Sequence, residues 1–256
     1  MRPRVPSLLL AALLALLTGC SGEDEPEPAS GPGLPSQADL TSYFEAITGS
    51  DTDELARVQS DVAADGSLAQ GYAAYVGEFA AAAAAAGEPV EPADVEEVDG
   101  GFKACVGNTS GQCATWSDLH GEDGKLADFT INGTKLDDVL VDLTDQPPVE
   151  SAGLYRVQPD WAYLQPKSGR LFVVCTVTAT DIPLSPRPGV YIEEDQILEG
   201  VEAPSPATIE AGTSSPVILA FADARDAKLD GQITFDLKLG DQETESIGFG
   251  LTDPTT

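Results

Sequence analysis

Positive charge is scarce in this chain. Only 13 Lys and Arg stand against 43 Asp and Glu in 256 residues, a formal net charge of −30. Nucleic acid and direct docking on anionic lipid both call for basic patches, and that balance argues against each. The single histidine, His120, and four cysteines leave too few soft ligands for an ordinary zinc centre. No Gly-x-Ser-x-Gly elbow, Walker loop or Rossmann fingerprint occurs, so the common nucleophile and nucleotide sites are missing. No cofactor is expected. Aromatic residues make up 6% of the chain. The two tryptophans, Trp116 and Trp161, read as core. The many carboxylates make chance proximity ordinary, and no carboxylate pair stands out as catalytic.

What the chain does have begins at its start. Arg2 and Arg4 precede an apolar run, and Leu8 to Leu17 contains only Leu and Ala. That run falls short of the ~20 residues needed to span a bilayer core, and it ends in small residues as a cleavable targeting segment does. The closing Leu17-Thr18-Gly19-Cys20 resembles the lipobox of bacterial lipoproteins. The resemblance implies cleavage after Gly19 and a diacylglycerol on Cys20. It also implies an extracytoplasmic address at the cell membrane. Two acyl chains hold a protein stably where one does so reversibly. Residues 20–37, with Glu23, Asp24, Glu25 and Glu27 among four prolines, read as an extended tether.

With Cys20 committed to lipid, Cys105, Cys113 and Cys175 remain. An exported protein meets an oxidising compartment where disulfides persist. Cys105 and Cys113 flank the turn-rich Val106-Gly107-Asn108-Thr109-Ser110-Gly111-Gln112 and are expected to bridge two adjacent strands. Cys175 lies in an apolar strand and reads as a small buried hydrophobe. Asn108-Thr109-Ser110 and Asn132-Gly133-Thr134 match glycosylation sequons, which the bacterial source implied by the lipobox resemblance would make incidental.

The expected fold class is α+β. Helical patterns fill residues 36–87: Ser36 with Asp39 and Asp51 with Glu54 cap the first two segments. A third runs from about Ser67 to a block of seven alanines, Ala80 to Ala86, and stops at Gly87. Short strands follow at 95–98, 102–106, 113–119 and 126–131, with Asp123-Gly124 as a hairpin turn. Leu136 to Leu143 reads either as a brief helix or as a closing strand. Tyr43 to Asp51 and Gly121 to Gly133 carry a resemblance to the cone-shaped nuclear transport factor 2-like superfamily. That resemblance implies a pocket between helices and sheet. Its candidate lining residues are Tyr43, Tyr72, Tyr75, Phe102 and Trp116.

Asp145-Gln146-Pro147-Pro148 marks a boundary between residues 38–145 and 149–256. Strands are expected at 154–157, 161–164, 171–180, 190–192, 207–209, 217–222, 233–239 and 247–251, spaced as in a sandwich. The long strand at 171–180 with the later Pro216 to Phe221 resembles immunoglobulin-like domains found in bacterial lipoproteins, without the Cys-Trp-Cys core. Asp118, His120, Glu122 and Asp123 have some features of a cation loop but not its spacing, and read as an exposed hairpin. The functional expectation is a non-enzymatic, membrane-anchored interaction or structural module of the cell envelope that binds a protein partner. The alternative is a small-ligand carrier with its pocket in the first domain. A carboxylate-using hydrolase ranks last.

Overall fold

The computed structural model describes residues 31–105, 113–194, 196–241 and 244–252. The leader, Cys20, the start of the tether and residues 106–112 lie outside the described residues. The fold is α+β, with three helices and fifteen strands among the described residues. No helix there is long and apolar enough to cross a membrane.

The helix starts follow the capping chemistry. Ser36 caps α1 (Gln37–Thr48), its hydroxyl accepting from the Asp39 N–H, and Asp51 caps α2 (Thr52–Asp61), accepting from the N–H groups of Asp53 and Glu54. Ser67 caps α3 (Leu68–Ala85) by accepting from the Gln70 N–H. Each cap satisfies donors that the first helical turn leaves free. Beyond α3, Gly87 adopts φ +78°, a conformation that favours glycine.

The first sheet runs β1 (Val95–Val98), β2 (Gly101–Cys105), β3 (Cys113–Glu122), β4 (Lys125–Ile131) and β5 (Thr134–Lys135), antiparallel in chain order. Asp123 and Gly124 both take positive φ in the β3–β4 turn, as an Asp-Gly hairpin requires. The described end of the tether is held down here: Gly124 donates its N–H to the Gly33 carbonyl at 3.0 Å. Between the helices and this sheet the core is made of rings. Phe44 stacks on Phe102 at 4.5 Å and meets Trp116 and Phe129 at 5.3 and 5.5 Å. Phe44, Phe102 and Phe129 fill the space between α1 and the sheet.

Residues 136–143 satisfy both alternatives. A 3-10 turn over Leu136–Asp138 leads into β6 (Leu140–Asp142). That strand pairs not with the first sheet but with β8 (Tyr155–Gln165). The second sheet has ten strands. Its path is β10 (Leu184–Pro186), β14 (Gln232–Leu239), β11 (Val190–Glu193), β12 (Gln196–Val201), β13 (Ser214–Phe221), β9 (Arg170–Ala179), β8 and β6. The remaining two are β7 (Val149–Ser151) on β8 and β15 (Thr244–Gly250) on β14. The sheet curls, and Gly200 marks where β12 leaves β11 for β13. A Cβ there would meet the Gly189 carbonyl oxygen at 2.6 Å, so only glycine permits the crossing.

Two expected strands, 154–157 and 161–164, are one. A β-bulge between Pro159 and Trp161 interrupts β8 without ending it, because proline cannot donate to the ladder and an extra residue restores register. The 207–209 segment makes only a single bridge, Leu184 to Ile209, while β7, β10 and β12 were not anticipated. They are short or of mixed polarity and carry no clear period.

One contiguous apolar core extends from Leu40 to Leu251 across the expected boundary at 145–149. Helix α3 makes it continuous. Tyr72 touches Phe129 of the first sheet and Tyr163 of the second, at 5.7 and 5.5 Å. Gly71 lets the helix approach closely, since a Cβ there would lie 3.0 Å from the Trp161 ring.

Candidate functional site

A cleft of about 880 Å³ opens between α3, the first sheet and strands β8 and β9. Its helical wall presents Tyr72, Tyr75, Val76 and Phe79. Successive turns of one helix face put these side chains in a row. The sheet wall is Tyr163 of β8 and Phe172 of β9, with Tyr75 5.0 Å from Tyr163 and Phe79 5.5 Å from Phe172 between ring centroids. Trp116, Ala114 and Cys113 of β3 close the third side. Polar residues gather at the β8–β9 turn: Gln165, Lys167, Ser168 and Arg170. Thr48, Glu91, Asn132 and Asp223, from other elements, complete the polar lining. A cleft of this size with aromatic walls and a few polar groups has the proportions of a ligand site.

The β8–β9 turn is held by its own bonds. Gly169 donates to the Gln165 carbonyl at 2.9 Å, and the Ala224 N–H donates to the Gly169 carbonyl at 2.7 Å. Lys167 donates from Nζ to the Cys113 carbonyl at 3.4 Å, reaching across to β3. Among the described residues Arg170 forms no ion pair. Burial raises the phenol of Tyr72 to about 12 and pushes Tyr75 and Tyr163 well above the ordinary range, so all three are neutral hydroxyls at any physiological pH. Trp116 is nearly fully buried, and its indole N–H has no acceptor among the described residues.

The disulfide Cys105–Cys113 is formed, joining directly opposed residues of β2 and β3 at the edge of the cleft. Cys175 is free and buried in β9, and burial, with the Asp160 and Glu78 charges adding, pushes its thiol far above the ordinary value.

The five aromatic candidates divide. Tyr72, Tyr75 and Trp116 line the cleft; Tyr43 and Phe102 do not. Tyr43 is fully buried and donates its hydroxyl to the Ala69 carbonyl at 2.6 Å, and Phe102 lies under Phe44. Phe79, Tyr163, Phe172, Lys167 and Arg170 were not singled out from sequence. A signal for the last two exists: Lys167 and Arg170 sit three apart in a Pro-Lys-Ser-Gly turn of a chain poor in basic residues. Asp118, His120, Glu122 and Asp123 are exposed along β3 and its turn, and no cluster of three metal-ligating groups occurs among the described residues. Cys20 lies outside the described residues.

A second group of side chains is chemically unusual. Glu78 of α3, Asp160 and Trp161 of β8 and Asp142 of β6 meet where the helix crosses the second sheet. Burial, reinforced by the Asp160 charge, raises Glu78 to about 8; the Trp161 indole offsets part of this, and Asp142 adds to it. The indole N–H and Glu78 Oε2 are both buried and lie outside hydrogen-bond geometry. Asp160, 7% exposed, is also raised by burial, although the Thr176 hydroxyl donates to its Oδ2 at 2.8 Å. None of Glu78, Asp160 or Asp142 lines the cleft. The four residues sit under α3 as part of the junction.

No protein-family model matches this chain, and no curated protein matches it.

Proposed function

We propose that the chain is a bacterial envelope lipoprotein, anchored on the extracytoplasmic face of the cell membrane by a diacylglycerol on Cys20, and that it acts without catalysis as a binding module. The observation that carries the binding role is the cleft between α3 and the β8–β9 strands. Its aromatic walls offer apolar contact, and Gln165, Lys167, Ser168 and Arg170 bring polar groups to it at the β8–β9 turn. In this reading the cleft, rather than the ring-filled interior of the first half, takes a small ligand. Residues 38–145 are read as a relative of the nuclear transport factor 2-like cone, supported by three helices laid on a curled antiparallel sheet. Residues 149–256 are read as an immunoglobulin-like sandwich, supported by alternating burial along β14 and by the Tyr155 hydroxyl donating to Glu245 of β15 at 2.8 Å.

A second reading, a protein partner in the envelope, draws on one feature of the surface. Ile192 and Ile197 are opposed across the β11–β12 hairpin and are 40% and 66% exposed. They are the exposed large hydrophobics among the described residues.

Site-specific photocrosslinking in intact cells tests both. A photoreactive phenylalanine analogue at Phe172 reports on the cleft, and one at Ile197 reports on the hairpin. A small molecule captured only from position 172 supports the ligand module. A protein captured only from position 197 overturns it in favour of the partner reading. Capture from neither position overturns both.

A further inference from the structure

We propose that the cleft takes a single-chain amphiphile with an anionic head: the apolar chain lies along the wall formed by Val76, Phe79 and Phe172, and the head meets Lys167 and Arg170. This inference rests on reading the cleft as the binding site and adds the class of ligand.

Two observations favour a negative head. Lys and Arg are outnumbered more than threefold by Asp and Glu in the whole chain. Two of these few cations nevertheless stand on one short turn at the cleft. Lys167 is held across the opening by its bond to the Cys113 carbonyl, which leaves its other N–H groups free to donate. Arg170 carries no ion pair among the described residues, and its guanidinium is suited to bidentate contact with a carboxylate or phosphate. The cleft also contains two carboxylates. Asp223 adjoins the turn through the Ala224 bond to Gly169, and Glu91 comes from the segment after α3. The lining is therefore charge-balanced where the chain as a whole is strongly negative, and an anion meets far less repulsion there than elsewhere on the surface.

The rings of Tyr72, Tyr75, Phe79 and Phe172 supply the apolar part of the lining. A ligand that is polar throughout would leave those rings unused, and an apolar one would make no use of the two cations.

The test uses the chain from residue 20 onward, oxidised, with Cys20→Ala so that no attached acyl chain competes. Dodecanoate, dodecanol and dodecyltrimethylammonium are titrated against it by calorimetry and tryptophan fluorescence at pH 8. The expected result is that dodecanoate binds at least tenfold more tightly than dodecanol and that the cation binds most weakly. The double variant Lys167→Glu/Arg170→Glu changes two exposed side chains. It should lose tenfold or more in dodecanoate affinity with dodecanol unchanged and the thermal midpoint preserved. Equal binding of dodecanoate and dodecanol, or indifference of dodecanoate to the double variant, overturns the anionic head and leaves the cleft as a binding site. Saturation by none of the three probes overturns the inference. Photocrosslinking at Phe172 then distinguishes a cleft with another kind of ligand from a cleft with no ligand.

Discussion

Replacing Glu78 by glutamine should stabilise the protein above neutral pH and do little in acid. In the folded chain the Glu78 carboxyl is raised from 4.5 to about 8, chiefly by burial and next by the Asp160 charge. In the unfolded chain it titrates near its ordinary value. Between these two pH values the folded state retains a proton that the unfolded state has released. Stability therefore falls as pH rises from about 4.5 to about 8 and levels off beyond. The gap corresponds to about 5 kcal/mol if expressed in full. Partial solvent access and relaxation around the carboxyl reduce this to roughly 2 kcal/mol. The glutamine amide keeps the shape but cannot charge. The assay is urea unfolding at pH 4.5, 6, 7.5 and 9, followed by tryptophan fluorescence, on wild type and Glu78→Gln with Cys20→Ala in both. The variant's advantage should be absent at pH 4.5 and reach roughly 2 kcal/mol at pH 9, with equal denaturant slopes. An advantage that does not grow across this range would refute the buried, protonated carboxyl.

Other substitutions test other parts of the structure. Cys105→Ser with Cys113→Ser removes a bridge of sequence separation 8 and should cost roughly 2.5 kcal/mol in the same unfolding experiment, by loop-closure entropy. Phe44→Ala opens the ring cluster at its centre and should cost roughly 3–5 kcal/mol, enough to show as a large loss of thermal midpoint. Gly71→Val forces branched carbons against the Trp161 ring and should cost roughly 1–3 kcal/mol, whereas the same change at Gly77, which has open space around it, should cost less. Cys20→Ala in the full-length protein should move it from the detergent phase to the aqueous phase in cloud-point partitioning. Retention in detergent would refute the lipobox.

The sequence by itself determined the local elements and their chemistry. Ser36, Asp51 and Ser67 announce helix starts because a cap needs only a side-chain oxygen and the next turn's N–H groups. Asp123-Gly124 announces its hairpin because positive φ is a property of two residues, and Cys105 and Cys113 announce their bridge because they bound one short turn. The Leu17 to Cys20 expectation is equally local. What the sequence did not determine is which surfaces meet. The single strand across Pro159 and Asp160 depends on a bulge set by its partner β9. The move of β6 to the second sheet depends on β8. Tyr43 and Tyr75 look alike as aromatic residues of the helical segment, yet only Tyr75 lines the cleft. That difference arises from which surfaces the two sheets cover, a non-local geometry with no period in the chain. The cleft, its Lys167 and Arg170, and the buried Glu78 beside Asp160 exist only because residues far apart in the chain are brought to the same helix face. Tertiary structure alone decides that, since burial and proximity, not residue type, set both the space available and the proton affinity.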